Sequence, residues 1–405
     1  MKVLWISVNS SNYNNDSNLH NGEGWVSSLE NIVKSHCDVK LSVAFTSRSA
    51  SEDKCIDGVN YYPINTAQKN NDIYILESIK KIIDVCRPDL IHVFGSEYCF
   101  GEIKKETKIP VVIHMQGCIP AYNNAIYPPG YSLADMVLHN ILNPKYLFRY
   151  ILRGKYPNKG VLREEEILRI NTYFMCRTRW DKAIVRLYSP QANIFYCSEA
   201  LRESFMNSDC FWRFKKNCSL RIVTVGGGNL LKGYDLVLKT AKLIKENSLL
   251  DFEWVICGPT KKMLEIQEKI AGVNCESVNV IPMGKCSADK VKEELLESDI
   301  FVHASYADNS PNAICEAQFL GLPIIATNVG GIPSLFDDQY PIEYLVPTND
   351  PYYLASKLIE LKADKSTQML MSKQNLTISH NRHSKENIYS DLLNCYQSII
   401  RKSKI

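Results

Sequence analysis

Asp308 and Glu316 stand eight positions apart in the stretch DNSPNAICEAQFLGLPIIATNVGG, residues 308–331, with Pro311 and Asn312 between them. Asp308 follows an apolar run, DIFVHAS, that reads as a strand, so it falls in the loop at a strand's carboxyl end, where open parallel sheets bind ligands. Asn309 or Ser310 can cap the helix that follows, and Pro311 suits its first turn, where an amide hydrogen would have no partner. The amides of Asn312 and Ala313 then point out of a helix amino terminus, a place where a phosphate binds well. Glu316 lies about one turn further in, too far along to be a phosphate ligand. It can accept bonds from sugar hydroxyls beside that phosphate, and a ribose diol offers two donors to one carboxylate. An acid in a first turn is also favoured with no ligand at all, by about 0.3–1 kcal/mol from the helix dipole.

A second stretch, VTVGGGNLLKGYDLVLKTAKLI, residues 223–244, runs from a strand through glycines into a helix. Gly226, Gly227 and Gly228 let backbone approach a ligand closely, Asn229 follows, and Lys232 brings a mobile positive charge beside them. The dinucleotide fingerprint fails, because the position after Gly226 and Gly228 that needs glycine is Leu231, and no G-x-x-x-x-G-K-[ST] occurs. A tight turn with a solvated lysine is the less favoured alternative for this stretch alone. Together, helix amides, a carboxylate, glycines and a lysine could hold a sugar linked to a diphosphate.

These groups need elements to position them. Apolar runs rich in valine and isoleucine alternate with amphipathic stretches in two blocks: KVLWISV, VKLSVAF, DLIHVFG, PVVIHMQG and ANIFYCS, then LRIVTVGG, DFEWVICG, VNVIPMG, DIFVHAS and PIIATNV. Strands that are apolar throughout, each followed by a helical pattern, predict parallel sheets covered on both faces, hence two doubly wound α/β domains. The expected division is 1–214, carrying an insert at about 120–185, then 215–380, with 381–405 as a helix returning to the first domain. The insert interleaves Lys145, Arg149, Arg153, Lys155 and Lys159 with Tyr146, Phe148, Tyr150, Ile151 and Leu152. Such a segment can rest on an anionic membrane surface, or pack on its own domain with a solvated charged face.

Composition sets the limits. The 405 residues are 45% hydrophobic and 22% charged with a net charge of +3, ordinary for a globular protein and too weakly basic for a nucleic-acid binder. Fourteen cysteines include no C-x-x-C pair and are read as reduced, buried small hydrophobes rather than zinc ligands or a disulfide framework. No apolar run is long enough for a signal peptide or a membrane span, so a cytoplasmic chain is expected.

The second block resembles the retaining, nucleotide-sugar-dependent glycosyltransferases of family 4 throughout VGGGNLLKGYDLVLKTA, WVICGPT, VNVIPMGK and LLESDIFVHASYADNSPNAICEAQFLGLPIIATNVGG. DNSPN..CEA followed by GLPIIATNVGGIP looks like the bacterial members that build capsular or lipopolysaccharide chains. In the first block MKVLWISV, RPDLIHVFG, IPVVIHMQG and SEALRESF follow the family's rhythm more than its letters. The resemblance implies a GT-B fold, an α/β architecture of two Rossmann-like domains facing a central cleft.

It also implies roles. Asp308 takes the place of the first glutamate of the family's E-x7-E motif, facing the donor sugar, and Glu316 the second, on the donor ribose. Lys232 neutralises the diphosphate, with Gly227, Gly228, Asn229 and the stretch Asn309, Ser310, Pro311, Asn312 and Ala313 completing the cradle. Gly258 and Pro259 fall at the nucleobase edge, and Gly22 and Gly24 in LHNGEGW resemble a glycine loop closing on the diphosphate. Gln116, with His114 two residues earlier, stands near the family's catalytic histidine, and strand alternation would put both on one face. Arg177, Trp180 and Asp181 in CRTRWDKAIV resemble an acceptor-domain segment. Two departures stand out: Gly227 replaces a common arginine, and Asp308 is one methylene shorter than glutamate.

The expected activity is transfer of a hexose-type sugar, UDP- or GDP-linked, to a glycan or lipid-linked acceptor with retained configuration, without a metal or other cofactor. In bacterial surface polysaccharide synthesis this would take place in the cytoplasm, with the insert as a candidate contact to the inner membrane. Competing readings are a nucleotide-sugar epimerase of the same fold, a non-catalytic sugar-nucleotide-binding subunit, and, least favoured by the broken fingerprint, an NAD-dependent oxidoreductase.

Overall fold

The structure is a computed structural model that describes residues 1–13, 24–49, 51–67, 71–125, 129–132, 134, 158–216 and 218–403. The chain divides into two compact units: 1–120 with 159–202 and 382–405, and 121–158 with 203–381. The boundary expected at 215 thus falls at 203, and the stretch 121–158 joins the second unit.

In the first unit, β1 (Lys2–Ser7), β2 (Lys40–Ser47), β3 (Lys54–Ile56), β4 (Val59–Asn65), β5 (Leu90–Phe94), β6 (Val111–His114), β7 (Tyr173–Cys176) and β8 (Asn193–Tyr196) form one sheet in the order β3-β4-β2-β1-β5-β6-β7-β8. Every pairing is parallel except the β3–β4 hairpin, whose turn is Asp57-Gly58, both at positive φ. Alternation along β1 shows why these strands read as unbroken apolar runs. Val3 and Trp5 enter one core with the helices Gly24–Lys34 and Lys385–Ser403, while Leu4 and Ile6 enter the opposite core with Asp72–Cys86 and Lys159–Ile170. Ile388, Leu392, Cys395 and Ile399 recur at helical spacing on the buried face of the returning helix, so residues 385–403 complete one of the two cores.

The expected insert at 120–185 is shorter in the structure. Helix Lys159–Ile170, β7 and helix Arg179–Tyr188 continue the sheet, because TYFMC is an apolar run just long enough to span it. Tyr131, before them, is buried with Ile266 in the second unit. The basic aromatic residues 145–155 lie outside the described residues, as does Gly22. Among the described residues, no helix is long and apolar enough to cross a membrane.

The second unit carries β9 (Leu220–Val225), β10 (Phe252–Cys257), β11 (Val280–Gly284), β12 (Ile300–His303), β13 (Ile324–Thr327) and β14 (Leu345–Val346), all parallel, in the order β11-β10-β9-β12-β13-β14. The strand order reverses at β9, so the loops after β9 and β12 flank the switch point where doubly wound sheets hold ligands. No disulfide joins any of the fourteen cysteines, and eight are buried, but Cys37, Cys55, Cys210 and Cys218 are exposed, against the expectation of burial throughout.

Candidate functional site

At the switch point, backbone contacts lock four loops together. The Tyr306 amide donates to the Leu231 carbonyl at 2.7 Å, joining the β12 loop to the β9 loop. Gly258, after β10, has φ of 126°, and a Cβ there would lie 1.8 Å from the Gly226 carbonyl oxygen, so only glycine lets the two loops stack. Gly330, after β13, has φ of 52° and would set a Cβ 1.9 Å from the Asp308 carbonyl oxygen, to which the Gly331 amide donates at 3.0 Å.

The side chains held on this frame converge on Asp308. Lys232, in a short 3₁₀ turn capped by the Asn229 side chain, donates from Nζ to Asp308 Oδ2 at 2.5 Å. His303, the last residue of β12, places Nε2 at 3.0 Å from the same oxygen, and Ser305 Oγ lies 3.3 Å from it and 2.9 Å from His303 Nε2. The Asn309 amide donates to Oδ1 at 3.2 Å. Burial pushes the Asp308 carboxyl up, but the Lys232 charge and the His303 bond outweigh it and hold the group well below the usual carboxylate range. Burial likewise lowers the His303 imidazole, against the opposite pull of Asp308. A carboxylate only accepts, so the neutral imidazole carries its hydrogen on Nε2.

The helix start differs in detail from the expectation. Pro311 itself occupies the cap position of helix Asn312–Phe319, with no side-chain cap, so neither Asn309 nor Ser310 caps it. The first amides to find acceptors within the turn are those of Ile314 and Cys315, both on the Pro311 carbonyl, which leaves the amides of Asn312 and Ala313 ahead of the helical ladder. Glu316 is buried in the same helix, 2% exposed, and Gly321 ends it at φ of 79°. Gly227 has open space where a side chain would stand, and Gly228 abuts Met263. Pro259 is buried behind Gly258.

The first unit's assignments change more. His114 is fully buried in a chain of four side chains. Its Nε2 meets the Cys197 carbonyl at 3.1 Å and must donate, so Nδ1 accepts from His92 Nε2 at 3.2 Å. His92 Nδ1 accepts from the Tyr396 hydroxyl at 2.6 Å, and that oxygen accepts from Trp5 Nε1 at 2.9 Å. Every donor and acceptor is committed, burial holds both imidazoles far below their ordinary range, His114 at about 3, and His114 has no nitrogen left for a reacting proton. The assignment of His114 as catalytic is therefore corrected: it is a core residue. Gln116 does not share its face, because β6 ends at His114; it is half-buried past the strand end, its carbonyl accepting from Arg177 Nη2 at 2.6 Å.

Asp181 is likewise consumed by structure. Its carboxylate accepts from the amides of Arg177, Thr178 and Lys182, while Thr178 accepts from the Asp181 amide, a capping box that starts helix Arg179–Tyr188. Arg177 is 4% exposed, its guanidinium 3.7 Å from the buried Glu199 carboxylate; Trp180 is half-buried. Gly24 opens its helix at φ of 66°. Sequence reasoning missed two acids at this edge. Glu97 accepts from the Gly117 amide at 2.7 Å, and buried Glu164 accepts from the Ile119 amide at 2.8 Å and Ser96 Oγ at 2.5 Å, its carboxyl pushed up to about 7 by burial. His303 and Ser305 were missed too; their one sequence signal is a histidine closing an otherwise apolar strand.

Residues 213–377 match the family model described as glycosyl transferases group 1. Over 103 residues the chain is 41% identical to the putative teichuronic acid biosynthesis glycosyltransferase TuaC of Bacillus subtilis, 25% of this chain and 26% of that protein. The stretches matched in the first curated relatives span between 26% and 43% of those relatives' own lengths. Among solved structures, the sucrose-phosphate synthase of Thermosynechococcus elongatus superposes with a TM-score of 0.74 at 12% identity, covering 99% of this chain and 100% of that one. HepE of Anabaena, in complex with UDP-glucose, gives a TM-score of 0.65 at 12% identity over 98% of this chain and 100% of HepE. The fold is GT-B.

Proposed function

We propose that the chain transfers a sugar from a nucleoside diphosphate sugar to a hydroxyl of a glycan or lipid-linked acceptor, with retention of anomeric configuration, in the assembly of a bacterial surface polysaccharide. The observation that carries this reading is Lys232 held at Asp308, at the switch point between β9 and β12, on the loop that leads into the uncapped helix start at Asn312. Lys232 and the amides of Asn312 and Ala313 would offset the charge of a departing diphosphate from fixed positions, which is where electrostatic catalysis gains most. Glu316 would accept from the donor ribose, and the backbone at Gly258 and Pro259 would meet the base. The departing phosphate oxygen would take the acceptor's proton as the new bond forms on the same face. The match to the group 1 model over 213–377, the name of TuaC and the UDP-glucose of HepE support a sugar-nucleotide donor, UDP-linked before GDP-linked. The reaction would take place in the cytoplasm.

A non-catalytic sugar-nucleotide-binding role is the second reading, favoured by Gly227 and by an aspartate already paired with the lysine. One experiment separates the two. UDP-, GDP- and dTDP-sugars are screened for thermal stabilisation, and the stabilising donor is incubated with candidate acceptors. Transfer, reduced at least tenfold by Lys232→Ala and by Glu316→Ala, is the expected result. Stabilisation without product points to the binding role, isomerised donor without acceptor to an epimerase, and near-normal turnover in both variants removes the site.

A further inference from the structure

Asp308 Oδ2 has three partners of unequal standing. Lys232 is the most accessible one, half-buried with its side chain 25% accessible on a short turn, whereas His303 is 3% exposed at a strand end and Ser305 is fully buried. Ser305 is fixed in turn, its carbonyl accepting from Thr327 Oγ1 at 2.5 Å. We propose that Lys232 exchanges between two anions, the Asp308 carboxylate and the donor's diphosphate, while His303 and Ser305 act as positioning residues that keep Asp308 in place when the lysine leaves.

This rests on the donor-binding reading above and adds two things to it. Asp308 becomes an internal competitor for the cation the diphosphate needs, so the carboxylate lowers donor affinity. The His303–Ser305 pair, on the other side of the same oxygen, supplies two hydrogen bonds that do not depend on the lysine. When Lys232 turns to the diphosphate, the carboxylate keeps these and the Asn309 amide, so a half-buried charge is never left without a partner.

Isothermal titration of the full chain with UDP and with GDP tests the exchange. Asp308→Asn keeps the shape and removes the charge, and should bind the preferred nucleotide at least threefold more tightly than the parent. In a Lys232→Ala background the same change should have no effect, because the coupling runs through the lysine. Asp308→Asn binding as weakly as the parent, or equal tightening with and without Lys232, overturns the exchange. His303→Ala should lower kcat at least fivefold with nucleotide affinity within twofold, and His303→Asn, which retains a donor, should recover part of the loss. Equal damage by both substitutions, or an unchanged kcat, overturns the positioning role. If the parent binds neither nucleotide, the donor-binding reading itself fails, and this proposal with it.

Discussion

Lowering the pH should expose the cost of the buried imidazoles in the first unit. His92 and His114 stay neutral in the folded chain, their pKa values held far below the ordinary 6.5 chiefly by burial. In the unfolded chain they take up protons as the pH falls below about 6.5. The unfolded state then binds more protons, so stability falls with pH, and for His114 the loss continues down to its folded value of about 3. Each such histidine costs about 1.4 kcal/mol per pH unit once the pH is below about 6. His114→Gln retains an amide that can donate to the Cys197 carbonyl but cannot titrate. Urea unfolding followed by tryptophan fluorescence at pH 8, 6, 5 and 4.5 should show the variant less stable at pH 8. The gap should close toward acid by about 1.4 kcal/mol per pH unit. Nitrogen shifts of both rings should report neutral Nε2–H tautomers from pH 8 to 5. Parallel stability curves, or a ring that titrates between pH 5 and 8, would refute the assigned chain of hydrogen bonds.

Other outcomes follow from the same geometry. Tyr396→Phe leaves the Trp5 indole N–H and His92 Nδ1 without partners in a core, at about 1–3 kcal/mol each, and urea unfolding should record a loss of about 2–6 kcal/mol. Gly258→Ala adds at least about 1–3 kcal/mol of backbone strain before the contact with Gly226 is counted, so unfolding and nucleotide titration should both show it impaired. Gly227→Arg meets open space and restores a cation beside Lys232; nucleoside diphosphate titration should show binding tightened by roughly threefold to tenfold, about 0.6–1.4 kcal/mol.

How much of this the sequence discloses depends on the range of the interactions involved. The five strands read in the second block correspond to β9–β13, because each is a short, largely apolar run followed by a helix; β9, β10, β12 and β13 are mostly buried, whereas β11 exposes Ile281 and Met283. The two-residue β14 offers no such run. In the first block β3 and β4 go unread although Asp57-Gly58 is a strong hairpin signal, since VNYYPIN mixes polar, aromatic and proline residues at one side of the sheet. β7 hides in a basic stretch. Within the site, the glycines, Lys232 and Asp308 are legible because strand ends mark them. Their direct pairing is not, for it joins residues 76 positions apart and exists only because β12 returns beside β9. Gln116 and His114 show the opposite failure: alternation was carried two residues beyond the end of β6.

The return of residues 382–405 to the first unit has a consequence for biosynthesis. A ribosome delivers residues 203–381 before it delivers Tyr396, so the second unit can close while the first still lacks a helix and the buried His92 imidazole still lacks its hydroxyl partner. Domains made first usually fold first. Here the earlier one cannot complete the core that Val3 and Trp5 enter until residues 385–403 have been made, after the whole of 203–381.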